Sequence, residues 1–294
     1  MTSGRLNASS RDHIVGCLVG GAIGDALGGV PERGRVSLSD DTQLTLATCE
    51  AIASGDRDLP KACGEAFLRW FRAGELTGLG SATLKALRDL SAGAHWALAG
   101  ARGEMAAGNG PAMRIAPLAF LIDPRDTKDR VTIRDVCRVT HHSDEAYIGA
   151  LAVLLAMHAT PWPPAEPAFF TELAGGLPDS RVRDRLLSFA ELPTAVGLDV
   201  VAERFGASGY VVETVPLALL AATRMTSASF PAVLNDIVAT GGDSDTIGAI
   251  AGQVAGSHLG LGALPSALVA LEPVGGILPR AESFADWCSR SLPG

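Results

Sequence analysis

Aromatic residues make up only 5% of the chain and charged residues only 19%, and no run of Lys and Arg or arginine–aromatic stripe occurs anywhere. With a formal net charge of −8 at pH 7, a surface built to neutralise nucleic-acid phosphates is not expected. Paired cysteine spacing is also missing. Cys17, Cys49, Cys63, Cys137 and Cys288 are scattered and odd in number, which argues against zinc ribbons and disulfide frameworks and fits buried thiols in a reducing compartment. The opening residues MTSGRLNASSRDH lack the apolar core of a signal peptide, so a cytoplasmic location is expected. Alternating strand patterns are scarce as well. The nearest approach, Val200-Val201 with Val211-Val212, is short and interrupted and leaves room for one small strand at most.

What the chain has instead is apolar residues of small size: 47% are hydrophobic and 34 are glycine, a composition suited to closely packed helices. Ile14 to Val30 is apolar except for Asp25, and Gly16, Gly20, Gly24 and Gly28 fall every fourth residue on one helical stripe. Such a stripe lets another backbone approach closely, as in membrane helix pairs. This stretch is short for a bilayer span, carries a carboxylate and stands alone, so a buried helix and no membrane span are expected. Helical periodicity predicts further helices at 42–53, 61–73, 81–99, 112–121, 131–140, 145–158, 167–174, 180–190, 213–224, 231–238, 244–258 and 281–289. The fold class expected is therefore all-α, a single compact multi-helix domain over residues 1–294. The stretch TPWPPAEP, 160–167, reads as a rigid connector. It is not taken as a domain boundary, because the two acidic motifs lie on either side of it and each looks incomplete alone.

Those motifs are Ser39-Asp40-Asp41-Thr42 and Gly241-Gly242-Asp243-Ser244-Asp245-Thr246, each immediately before an apolar-periodic helix. One Asp or Ser there is an ordinary N-cap. Two carboxylates within three residues, at both places and with no nearby Lys, exceed what a cap needs and repel one another. Hard divalent cations such as Mg²⁺ supply the missing charge and prefer carboxylate, hydroxyl and water oxygens. Ser39, Asp40, Asp41, Asp243, Asp245 and Thr246 are thus candidate ligands for one or two ions. Glu32, in the turn after Gly24-Asp25-Ala26-Leu27-Gly28, is a candidate general acid or base, or a further ligand, against the plain reading of a solvated glutamate. The turn Gly108-Asn109-Gly110-Pro111-Ala112-Met113-Arg114 offers N–H groups suited to phosphate; a structural turn with Arg114 facing solvent would read the same. In Thr140-His141-His142-Ser143-Asp144-Glu145 the other ligands of a zinc site are not spaced nearby. A helix junction with one histidine toward a ligand and one toward solvent is expected there.

In this order the motifs GDALGGVPE, SDDTQL, GNGPAMRIAPL, VTHHSDEA and GGDSDTIGAIAG, from about Val15 to Leu259, resemble the ADP-ribosylglycohydrolase family. The resemblance implies an all-α fold, a site for two Mg²⁺ ions, with Mn²⁺ as an alternative, and cleavage of the glycosidic bond at C1″ of ADP-ribose to release it from a modified protein or another conjugate. By motif match the metal ligands are Ser39, Asp40, Asp41, Asp243, Asp245 and Thr246. The catalytic carboxylates are Glu32, Asp41 and Asp245, with Glu32 near the leaving group. Asp25, Gly108, Asn109, Gly110, Met113, Arg114 and His141 contact substrate, the Asn109 turn cradling the diphosphate and His141 closing the pocket. Two features depart from the family pattern: Ser39 stands where threonine is commoner, and only Arg33 to Leu38 separate Glu32 from the first acidic cluster, where many relatives carry a longer flap. Two alternatives remain, a non-catalytic crystallin-like relative and a magnesium-dependent nucleotide pyrophosphohydrolase, since acidic helix starts alone do not distinguish glycosidic from P–O cleavage.

Overall fold

In a computed structural model the structure describes residues 11–29 and 36–291. Helices α1 (Arg11–Gly28), α2 (Asp40–Ala53), α3 (Leu59–Ala73) and α4 (Ser81–Ser91) precede a two-residue strand, β1 (Ala101–Arg102). The short α5 (Gly110–Arg114) and α6 (Thr127–Arg138) lead to β2 (His141–His142), which pairs with β1 in parallel. Then come α7 (Asp144–Met157), α8 (Glu166–Gly175), α9 (Arg181–Ala190), α10 (Leu198–Phe205), α11 (Val211–Arg224), α12 (Phe230–Thr240) and α13 (Ser244–Leu259). Two single turns, α14 (Ser266–Val269) and α15 (Glu272–Gly275), and the longer α16 (Leu278–Ser291) finish the described chain. The fold is all-α, one compact body around one continuous apolar core, and no described helix is long and apolar enough to cross a membrane. All five cysteines are free and buried.

The centre of the molecule is the antiparallel pair α1 and α13. The stripe of Gly16, Gly20, Gly24 and Gly28 meets a second stripe, Gly256, Gly252 and Gly248, and then the Ser244 backbone. A Cβ on Gly16 would lie 2.6 Å from the Gly256 carbonyl oxygen, and one on Gly248 would lie 2.5 Å from that of Gly24. Real Cβ atoms do not approach backbone so closely, so the two helices touch main chain to main chain only because these positions are glycine. The helix-propensity cost of each glycine, about 1 kcal/mol relative to alanine, is offset by that burial. The joint also sets the distance between Asp25 on α1 and Asp245 on α13. Gly248→Ala is expected to lower stability by about 1–3 kcal/mol, the usual range for overpacking, seen as a lower urea midpoint at unchanged slope. Gly175→Ala, where a Cβ meets nothing within 4 Å, should be neutral or stabilising; equal losses at both sites would refute the tight-joint account.

Several element boundaries differ from the periodicity. The helix expected over 81–99 stops at Ser91, because the chain turns at Gly93 with φ of 90°. The one expected over 112–121 is split into α5 and a 3₁₀ turn, Ala116–Phe120, where Pro117 has no N–H to continue the ladder. The strand allowed for at Val200–Val201 and Val211–Val212 is absent: the first pair lies inside α10 and the second opens α11. Burial there follows helical spacing, with Leu198, Val201 and Ala202 inside and Val200 exposed. The connector at 160–167 is fastened to the core. The Trp162 ring stacks on His258 of α13 with centroids 4.0 Å apart and planes 5° from parallel.

Candidate active site

Asp25 leaves the last turn of α1 and is buried. Its carboxylate accepts the Ser39 N–H through both oxygens, at 3.1 and 3.0 Å, the Thr42 N–H at 3.2 Å and the Thr42 hydroxyl at 2.6 Å. It therefore satisfies free N–H groups of α2 from a different helix, alongside the local N-cap Ser39. The Ser39 Oγ accepts the Asp41 N–H at 3.2 Å and donates to Asp41 Oδ2 at 2.8 Å. The same Oδ2 accepts the Thr246 hydroxyl of α13 at 3.2 Å, which ties the two acidic motifs together.

Asp41 Oδ1, in contrast, is buried with no hydrogen-bond partner among the described residues. Carboxylate oxygens of Asp25, Asp41 and Asp245 all lie within 4.8 Å of one another, and no salt bridge among the described residues reaches any of them. Burial, reinforced by Asp25, Asp40 and Asp245, pushes the Asp41 carboxyl well above the usual carboxylate range. Burial and then Asp25 push Asp40 up to about 7. Asp25 is raised by burial against the bonds it receives from Thr42 and Ser39. Asp243 is raised by burial too, although it accepts a 2.6 Å bond from Asn109 Nδ2. Several buried carboxylates sharing one small volume cannot all be ionised without a counter-charge. An orphaned oxygen amid carboxylates and hydroxyls is the donor chemistry of a hard divalent cation, so these residues fit one.

A cleft of about 690 Å³ opens over the cluster, within the ordinary range for a small-molecule site. Its floor carries Asp40, Asp41, Asp243, Asp245 and Thr246; one wall is Gly108 to Gly110, Met113 and His141; the rim includes Gly78, Gly80 to Thr83, Glu104 and Ser208 to Tyr210. From residue 6 to residue 291 the chain matches the description ADP-ribosylglycohydrolase. It belongs to that family. It is 28% identical over 282 residues to the ADP-ribosylarginine hydrolase Tri1 of Pseudomonas putida (strain GB-1), covering 86% of this chain and 72% of that one. To the ADP-ribosyl-[dinitrogen reductase] glycohydrolase of Rhodospirillum rubrum it is 25% identical over 285 residues, covering 88% and 89%. A solved structure titled ADP-ribosylglycohydrolase-related protein complex superposes with a TM-score of 0.71 and 28% identity, covering 95% of this chain and 98% of that one.

In this member of the family the two acidic motifs and the glycine turn converge on one cleft, but not every residue singled out from sequence lines it. Asp25 and Ser39 lie beneath the floor, where they hold the start of α2. Asn109 is fixed from three sides: Nδ2 donates to Asp243 and, at 3.1 Å, to Thr214 Oγ1, and its backbone N–H donates to the Gly209 carbonyl at 3.0 Å. Its N–H is thus already engaged and not open to phosphate. Met113 faces the cleft while its carbonyl is held from below by Gln253 Nε2 at 2.7 Å and Thr45 Oγ1 at 3.2 Å. Arg114, expected at the substrate or in solvent, is in neither place. It is wholly buried behind the wall, with Nη2 donating to Thr140 Oγ1 at 2.7 Å and its guanidinium 4.6 Å from the Phe67 ring centre.

His141 lines the cleft, and burial first, then Arg114 and His142, push its imidazole down to about 3, so the ring is neutral. His142 does not simply face solvent, because its Nε2 bonds the Ala99 carbonyl at 2.7 Å. The two histidines sit on β2 and not at a plain helix junction, since the β1 pairing pins their backbone. Glu32 lies outside the described residues. Thr42 and Thr140 support the site from inside motifs read in the sequence, where they had no role of their own, and Thr214 and Gln253 support it from outside them. A lone polar Gln253 in the apolar run of α13 was the one available signal among them.

Proposed function

We propose that the chain is a magnesium-dependent glycohydrolase that cleaves the bond at C1″ of ADP-ribose and releases ADP-ribose from a modified protein or another conjugate. The observation that carries this reading is the buried, unpartnered Asp41 oxygen among the Asp25 and Asp245 carboxylates, in a family of ADP-ribosyl hydrolases. Two ions, Mg²⁺ or in its place Mn²⁺, would be held by Ser39, Asp40, Asp41, Asp243, Asp245 and Thr246. When bound, they supply orientation of the ribose hydroxyls and activation of water. Asn109 keeps Asp243 aimed at the floor, and Asp25 holds Ser39 and Thr42 so that Asp40 and Asp41 enter it from a fixed helix start. Glu32 is the proposed proton-transfer group near the leaving group, and Gly108, Gly110, Met113 and His141 form the wall against the diphosphate. Positive charge develops on the ribose as the bond breaks, so the ions' role is positioning and water activation and not stabilisation of that charge.

A panel of ADP-ribosylated arginine, ADP-ribosylated serine and acetylated ADP-ribose, each with magnesium and with a chelator, tests the proposal. Intact ADP-ribose released only with the metal is the expected product. AMP with ribose phosphate would mean P–O cleavage instead, and no product from any conjugate would mean a non-catalytic relative. A Cβ on Gly110 would lie 2.7 Å from His141 Cε1, so Gly110→Val must displace that ring. Its affinity for ADP-ribose by calorimetry is expected to fall by about tenfold, or 1.4 kcal/mol; unchanged affinity would take this turn out of the site.

A further inference from the structure

We propose that Arg114 and Thr140 form a buried relay that sets the tautomer of His141, so that its Nε2–H is held toward the cleft as a standing donor to an oxyanion of the substrate's diphosphate. The identity of that oxyanion rests on the proposed function; the relay itself does not.

Proton bookkeeping on the Thr140 hydroxyl carries the inference. A guanidinium only donates, so Arg114 Nη2, 2.7 Å away, occupies one lone pair of Thr140 Oγ1. The hydroxyl keeps one hydrogen and is fully buried, so that hydrogen must find an acceptor within the protein. Among the described residues its one acceptor within hydrogen-bond distance is His141 Nδ1, at 2.8 Å. The positive guanidinium on the far side of Oγ1 favours the same direction, since it repels an approaching Nδ1–H and polarises the hydroxyl toward the ring. Nδ1 therefore accepts. A neutral imidazole carries one N–H, which then sits on Nε2.

The backbone aims that N–H. Ala101 N–H donates to the Thr140 carbonyl at 3.1 Å, and the β1–β2 register places Ala101 opposite His141. The ring edge fits against the turn because Gly108 and Gly110 lack side chains: a Cβ there would lie 3.1 and 3.2 Å from Nε2. Nε2 has no hydrogen-bond partner among the described residues, and His141 lines the cleft. Among the described residues Arg114 forms no salt bridge and leaves Nε and Nη1 unpartnered in the interior. Such a cation is costly to bury, and beside its contact with the Phe67 ring the bond to Thr140 is its one side-chain hydrogen bond among the described residues. A neutral N–H donor suits a phosphate oxygen.

Long-range ¹H–¹⁵N spectra of the full chain labelled at histidine distinguish the two neutral tautomers without any ligand. Wild-type His141, assigned by its loss in His141→Gln, is expected to show Nε2–H. Thr140→Val, which keeps the shape and removes the hydroxyl, should shift it toward Nδ1–H or a mixture, and Thr140→Ser should restore it. If Thr140→Val does not fold, as judged by circular dichroism, Arg114→Gln is read the same way. An Nδ1–H tautomer in the wild type, or no change in the variants, overturns the relay. In calorimetry with magnesium, Thr140→Val should weaken ADP-ribose binding by about tenfold; unchanged affinity despite a changed tautomer overturns the donor role. Inorganic pyrophosphate separates the two readings. Wild-type chain that binds pyrophosphate through the relay but not ADP-ribose refutes the proposed function and leaves the relay standing, whereas binding of neither refutes the oxyanion assignment.

Discussion

Asp41→Asn is expected to reduce hydrolysis by at least about a hundredfold, since even outer-shell partners of a metal site commonly matter 10- to 100-fold, while leaving the metal-free fold as stable as the parent or more stable. The two halves of this outcome have one cause. Asp41 is buried beside Asp25 and Asp245 with one oxygen unpartnered and its carboxyl raised well above the usual range. Without a cation its charge costs stability, and an amide of nearly the same shape removes that cost while keeping an oxygen for Ser39 and Thr246. With magnesium the same charge is what the ion needs. Far-ultraviolet circular dichroism, thermal melts with and without magnesium, and turnover on the best conjugate of the panel would be measured together. The parent should gain melting temperature on adding magnesium and the variant should not. Full activity in the variant, or unchanged dependence of its melting on magnesium, would remove Asp41 from the ion site.

The chelated wild-type protein should be less stable at pH 8 than at pH 5. Asp40 is raised to about 7, and Asp25, Asp41 and Asp243 are raised as well, burial being the first cause in each. An unfolded aspartate titrates at about 3.9, so between that value and about 7 the folded chain binds more protons than the unfolded one. Stability is therefore highest at the acid end of this window and falls as pH rises through it, the reverse of the usual salt-bridged carboxylate. Magnesium should cancel the fall, because the ion replaces the protons. At a hundredfold excess over its dissociation constant it adds about 2.7 kcal/mol, with a smaller gain at pH 5, where protons compete. Urea midpoints at the two pH values, with magnesium and with chelator, would check this. Stability of the chelated protein that rises from pH 5 to 8 would contradict the close-packed, uncompensated cluster.

Helix positions were legible in sequence because apolar spacing is a local property, and so were the two acidic starts. The cleft wall at Gly108 to Gly110 and His141 was legible as motifs. Their partners were not. Asp25 reads as a lone carboxylate in an apolar helix, and only the fold brings it to the Ser39 and Thr42 N–H groups. Arg114 follows a glycine turn, a context that suggests exposure, yet the 3₁₀ turn after it and Phe67 of α3 close over it. Half of the central joint was visible in the stripe from Gly16 to Gly28. The answering stripe, Gly248, Gly252 and Gly256, has the same fourfold spacing and went unpaired because helix-to-helix register is a tertiary fact. Rim residues such as Gly78 and Ser208 have no chemical signature of their own.

The bonds that close the floor join residues more than 200 positions apart, Thr246 to Asp41 and Ser244 to the Gly28 carbonyl. On the ribosome, α1 emerges before α13, and its bare glycine face lacks that partner until the residues between them have been made. Contacts so distant in sequence form slowly. A chain that stops short of α13 therefore lacks Asp243 and Asp245 and the joint that brings them to Asp41, so assembly of the acidic floor reports that α13 has been made and docked.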